Sequence, residues 1–252
     1  TDDLFVIGNG YTGKNDAFRI LKNGTAYIGD ASSTTDPILT VSTTDSTTSI
    51  IGTVVAGDTN NGVIISPDGL RLRGSATVYE DLRIDALSTP ANADEPALTG
   101  GFAGAPTIYQ RVFQGSVRDD KIYFNVQLPH AWKEGGEFEI HIHTAPWTTP
   151  VATDTVVWEL QWNWQNINGT FLTPTNVKVK QPLNGVAQWQ HKLVEIAHFN
   201  TSGKTISSII YCRLSRLANS DISDTYTGGI TVLYIDCHYE VDALGSGSEL
   251  VK

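Results

Sequence analysis

Residues 137–143 read EFEIHIH, an unbroken alternation of polar and apolar side chains that follows a Gly135-Gly136 turn. Side chains on a strand change face at every residue, so Phe138, Ile140 and Ile142 point to one side and Glu139, His141 and His143 to the other. A helix of 3.6-residue period would scatter both sets around its circumference, so the pattern demands a strand with one buried face. Two imidazoles and a carboxylate line the opposite face, and the functional question is what that row meets.

The same period recurs downstream. Trp158, Leu160, Trp162 and Trp164 alternate with Glu159, Gln161, Asn163 and Gln165, which predicts three indoles at the centre of a core. Near the end, Leu233, Ile235, Cys237, Tyr239 and Val241 form an apolar face, and Tyr234, Asp236, His238, Glu240 and Asp242 form its reverse. From Tyr109 onward the alternation predicts strands over 109–117, 121–127, 137–143, 156–165, 177–181, 193–199, 206–217 and 230–241, with turn residues between them. That arrangement predicts an antiparallel β-sandwich of jelly-roll type over residues 108–243, followed by a small, polar tail at 244–252.

The first 85 residues differ in kind. All six Trp lie beyond residue 130, and the N-terminal part consists of very short apolar runs separated by turn signals: Gly8-Asn9-Gly10, Asn23-Gly24 and Pro67-Asp68-Gly69. Between Ala31 and Ser49 the chain is mostly Ser, Thr and Asp, which tolerates extension and offers little to bury. Ordering the backbone costs about 1–2 kcal/mol per residue, more than such strands offset in one copy. Residues 1–85, including TVYEDLRI at 77–84, therefore read as a fibrous β stalk of several intertwined chains, and the Pro- and Gly-rich segment 86–107 reads as a linker.

The 252 residues carry a net charge of −10 with no cluster of Lys or Arg, which excludes a phosphate-tracking nucleic-acid surface. No stretch approaches the roughly 18–20 apolar residues of a membrane span, and no basic-then-apolar signal opens the chain, so no membrane insertion is expected. The sequence starts at Thr1 and contains no Met, so its N-terminus reads as a cut in a longer or processed chain. Two cysteines cannot frame a disulfide scaffold, and Cys212 and Cys237 both fall on apolar phases, as buried free thiols do.

Four segments carry a resemblance: GVIISPDGLRLRGSATVYEDLRID (62–85), QLPHAWKEGGEFEIHIHTAPW (127–147), ISSIIYCRL (206–214) and LYIDCHYEVDALGS (233–246). Together they resemble a family of virion-associated proteins of tailed, often marine, bacteriophages that serve as tail fibres, head fibres or spikes. The opening LFVIGNG and FRILKNGTAYIGD resemble fibre stalk segments. The family usually places Trp soon after the His-x-His pair, whereas Thr144-Ala145-Pro146 intervenes here. The resemblance implies a noncatalytic homotrimer on the virion surface, with a fibrous N-terminal part that joins capsid or tail proteins. A globular head would then contact a host glycan or protein. Capsid decoration without a receptor is the alternative within that class.

Candidate chemistry is concentrated on the histidines. His141 and His143, at i and i+2 on a strand, present both imidazoles to one side, and neutral imidazole suits Zn, Fe or Ni. In a trimer that row could supply six nitrogens to an axial transition-metal ion, as His-x-His does in some long phage fibres. Within one chain His238 could complete the set, with Glu139, Asp236 or Glu240 in support. A hydrogen-bonded polar patch without metal, and so without any cofactor, fits the same pattern. A cupin-like enzyme requires a Glu soon after the His-x-His pair, where residues 144–149 offer none. A glycan depolymerase would draw on paired carboxylates such as Asp236, Glu240 and Asp242. For binding alone, the loop aromatics Trp132, Trp147 and Trp189 are the candidates, since indole faces stack on sugar rings; each also fits as a plug beneath its loop.

Overall fold

The computed structural model describes residues 3–8, 16–22, 26–28, 39–41, 54–57, 60–66, 69–88, 94–116 and 118–249. They fall into two compact units, one of Thr1–Thr77 with Asp242–Gly247 and one of Val78–Val241 with Ser248–Lys252. Among the described residues, no helix is long and apolar enough to cross a membrane.

The first unit holds two small antiparallel sheets. Strands β1 (Asp3–Gly8), β2 (Asp16–Leu21), β3 (Ala26–Ile28) and β4 (Leu39–Val41) pair in chain order, as do β5 (Val54–Gly57), β6 (Gly62–Ser66) and β7 (Gly69–Arg73). The backbone of Leu72 donates to Asp242 O at 2.6 Å, tying the returning C-terminal segment to β7. The turns expected at Asn9-Gly10, Asn23-Gly24 and Pro67-Asp68 lie outside the described residues. So does the Ser/Thr/Asp-rich stretch 31–49, apart from residues 39–41.

The second unit contains β8 (Val78–Asp85), β9 (Ala97–Gly100), β10 (Tyr109–Phe113), β11 (Lys121–Gln127), β12 (Phe138–Pro146), β13 (Thr155–Gln165), β14 (Thr175–Pro182), β15 (Lys192–His198), β16 (Ile209–Arg216) and β17 (Ile230–Val241). All eight strands expected from Tyr109 onward are present. One sheet runs β15-β12-β17-β10 and the other β11-β16-β13-β14, all antiparallel, which is the two-Greek-key connectivity of a jelly roll. Alternation places Phe138, Ile140 and Ile142 of β12 and Ile235, Cys237 and Tyr239 of β17 in the buried layer, facing Trp158, Leu160, Ile210, Cys212 and Leu214.

The indoles of this core have polar partners, as buried N–H groups require. Trp158 Nε1 donates to Gln181 Oε1 at 2.8 Å, and Gln181 Nε2 donates to Thr144 Oγ1 at 2.8 Å, a buried relay that links the two sheets. Trp164 Nε1 donates to Ser208 Oγ at 2.8 Å. Of the three indoles expected at the core centre, Trp158 and Trp164 are buried, whereas Trp162 is half-buried at the core margin, packed edge to face on Phe199 at 5.1 Å.

Two sequence boundaries and one face assignment are corrected here. Residues 78–85, read as stalk, form β8 and pair with Tyr234–Val241 of β17 in the sandwich sheet. The long strand β17 leaves that flank open beyond its two-residue pairing with β10, and β8 fills it. The segment 86–107, read as linker, contains β9, which pairs with β10, and the 3-10 turn Phe102–Gly104. Finally, Leu233 leaves the apolar face: the register of β12 and β17 steps from His143–Tyr234 to Thr144–Val232, so Leu233 is the extra residue of a β-bulge and Val232 takes the buried place.

Candidate functional site

The outer face of the β8-β17-β12-β15 layer gathers five of the six histidines: His141, His143, His191, His198 and His238. Strand register accounts for this. Glu139 lies between His198 of β15 and His238 of β17, whose other neighbour is Asp81 of β8. In the next row His141 lies between Glu195 and Asp236, and His143 follows between Leu193 and Tyr234. The preceding turn uses Gly135 at φ +75° and Gly136, where a Cβ would lie 2.8 Å from Lys133 O, so the tight entry into β12 excludes a side chain.

Carboxylates fix the imidazole tautomers, because an ionised carboxylate only accepts. His141 Nε2 and His198 Nδ1 both donate to Glu139, each at 2.8 Å. His143 Nε2 donates to Asp236 Oδ2 at 2.6 Å, which leaves His143 Nδ1 to accept from His191 Nε2 at 2.6 Å. His238 Nδ1 donates to Asp81 Oδ1 at 2.8 Å, and its ring lies between Tyr79, stacked at 4.7 Å, and His141 at 5.7 Å. Tyr79 donates to Glu137 Oε2 at 2.5 Å. That bond holds the Glu137 carboxyl below its usual range and pushes the Tyr79 phenol up to about 12.

His141, His143 and His238 thus share one face, each with its own carboxylate. His143 uses both nitrogens, so it has no lone pair for a metal while this chain of hydrogen bonds stands. Among the described residues, the donor set that closes to within 4.8 Å is instead Glu137, Glu139 and His198. The sequence singled out Glu139 but neither Glu137, at the strand's edge, nor His198, which reaches it only through the pairing of β15 with β12. A cleft of about 400 Å³ opens beside this face, bordered by Arg83, His143, His191, Tyr234 and Asp236. Asp236 Oδ1 is buried beside it with no hydrogen-bond partner.

The three loop tryptophans separate. Trp132 is fully buried, packed on Trp164 at 5.9 Å, so it plugs the sandwich beneath its loop and is unavailable to a ligand in this chain. Trp147 and Trp189 are half-buried and meet edge to face at 4.7 Å, with Phe102 of the 3-10 turn at 5.7 and 5.2 Å. Trp189 holds a left-handed backbone at φ +63°, which is unusual for a bulky residue, and its N–H donates to Pro146 O at 2.9 Å. The sequence named both tryptophans but not Phe102, hidden in the segment read as linker.

No protein-family model matches the sequence, and no curated protein matches it. Among solved structures, the chain is similar to dimeric latent PorU of Porphyromonas gingivalis, with 9% identity over 66% of this chain and 13% of that one, at a TM-score of 0.33. It is likewise similar to the insecticidal delta-endotoxin Cry8Ea1 of Bacillus thuringiensis, with 11% identity over 96% of this chain and 41% of that one, at a TM-score of 0.33. The similarity therefore spans less than half of either protein, and no activity follows from it.

Proposed function

We propose that this chain is a noncatalytic attachment protein, a homotrimeric fibre or spike of a tailed bacteriophage that carries a jelly-roll head to a bacterial surface. The observation that carries the attachment reading is the Phe102–Trp147–Trp189 cluster, half-exposed and held on a strained Trp189 backbone. Strain of this kind, about 1–3 kcal/mol, is retained where surrounding structure and function require it.

The virion assignment rests on the sequence resemblance, and the stalk on the short strands of residues 1–85. A trimer would make weak single contacts add through effective concentration. Light scattering on the purified chain and binding of labelled protein to a panel of bacterial strains test the proposal together. Three chain masses, with cell binding reduced by Trp147→Ala and Trp189→Ala in folded protein, are expected. A monomer would remove the fibre, and a trimer that binds no strain but binds capsids would reduce the role to decoration.

A further inference from the structure

The outer face of the second sheet carries a pattern that the attachment reading leaves unassigned. Register aligns Tyr123, Arg213 and Gln161 across β11, β16 and β13, and in the next row Asn125, Tyr211 and Asn163. The tyrosines are therefore diagonal neighbours, about 7–8 Å apart by sheet geometry, and each is flanked by amide or guanidinium groups. Tyr123 and Tyr211 are 40% and 47% exposed.

A cavity of about 310 Å³ sits over these residues. Phe171 packs edge-on against Tyr211 at 4.9 Å, Asn163 Nδ2 donates to Leu172 O, and Pro174 of the same loop borders the cavity. Arg213 borders the cavity, and its Nε is buried beneath it with no hydrogen-bond partner. The charge of Arg213 is already matched, since its NH2 group donates to Glu159 Oε2 at 2.9 Å.

From this geometry we infer that the outer face of the β11-β16-β13-β14 sheet binds a neutral oligosaccharide, two successive sugar rings lying on Tyr211 and Tyr123. Aromatic faces complement the C–H surface of a pyranose. Planar amides at Asn125, Gln161 and Asn163 offer paired donors and acceptors to vicinal hydroxyls. The internal neutralisation of Arg213 and the chain's net charge of −10 select against anionic sugars. The inference deepens the attachment reading and rests on it for its biological sense, though the site itself can be tested alone.

Native-gel affinity electrophoresis of the full chain with soluble mannan, dextran or galactan provides the test, with alginate as the anionic comparison. At least one neutral polysaccharide should retard the protein. Tyr211→Ala and Tyr123→Ala should each weaken that retardation by about tenfold, whereas Tyr109→Ala, an exposed tyrosine of the other sheet, should leave it unchanged. Thermal melts establish that each variant is folded, and Tyr211→Phe, which keeps the ring, should retain binding. Retardation by none of the neutral polymers, by alginate alone, or equally for the double tyrosine variant would overturn the site. If no neutral polysaccharide retards the chain and yet it binds bacterial strains, the site fails and attachment stands. Retention of a neutral polysaccharide without binding to any strain would do the reverse.

Discussion

Removing the Asp224 carboxylate should destabilise the jelly roll more than most core truncations. Arg216, at the end of β16, is 0% exposed and Asp224 is 1% exposed. The guanidinium meets both carboxylate oxygens, NH2 to Oδ1 at 2.8 Å and Nε to Oδ2 at 3.1 Å. Its remaining donors reach Phe113 O at 3.1 Å, Gly228 O at 2.7 Å and Tyr226 O. Asp224 Oδ2 also accepts from Val157 N at 2.9 Å. In Asp224→Ala the guanidinium stays charged at any accessible pH, left with backbone carbonyls, the Tyr226 ring at 5.5 Å and the Asp120 carboxyl to compensate it. Breaking a buried pair from one side costs about 3–5 kcal/mol. At about 2–4 °C per kcal/mol for a domain of roughly 150–250 residues, the melting point should fall by about 6–20 °C. Guanidinium unfolding followed by Trp fluorescence, at fixed protomer concentration, measures the difference. Arg216→Met combined with Asp224→Leu should recover at least half of the loss, because an apolar pair removes the uncompensated charge. A single-variant loss below about 1 kcal/mol would show that solvent reaches the guanidinium and would refute the reasoning.

Two further outcomes follow from titration. Burial holds the Asp120 carboxyl above its usual range, against the lowering effect of Gln114 N and Arg118 Nε, both at 2.6 Å. Its contribution to stability is therefore fully present below the ordinary Asp value and is lost as pH rises through the native one. Exposed Asp94 is shifted the opposite way by its bond to Lys121, so its contribution is lost as pH falls through its lowered native value. Carboxyl-carbon NMR should show Asp120 titrating above the ordinary range and Asp94 below it, and an Asp120 value at or under that range would sink the burial account. Burial likewise raises both thiols, Cys212 and Cys237. A thiol-disulfide reagent at pH 8 should label neither in the folded chain on the timescale that labels both in denaturant, and rapid native labelling would place the thiols at the surface.

Much of the second unit was legible because alternation is a local signal. Each two-residue period states which side chains share a face, so the buried row of β12, the outward histidines and the Trp158 strand were available from short windows. Where a local irregularity enters, the same reading fails: the bulge at Leu233 shifts the phase of β17 by one residue, and only its pairing with β12 reveals it. Trp132 shows a different limit, since a lone aromatic in a turn carries no period to say whether the turn folds over it or away from it.

The sequence by itself determined the all-β class, the eight jelly-roll strands, their two faces wherever the alternation is unbroken, and the contrast between the N-terminal short strands and the Trp-rich remainder. These follow from backbone stereochemistry and from the need to bury apolar side chains, both readable within about ten residues. Strand order was decided only by the tertiary structure, because it depends on pairings between segments far apart in the chain. Pairing gave Glu139 to His198, Asp236 to His143 and Asp81 to His238, and it brought β8 out of the apparent stalk to complete that face. It also set Tyr123 diagonal to Tyr211, although 88 positions separate them. Each of those contacts is made across a sheet, where a residue's neighbours come from other strands and leave no trace in its own.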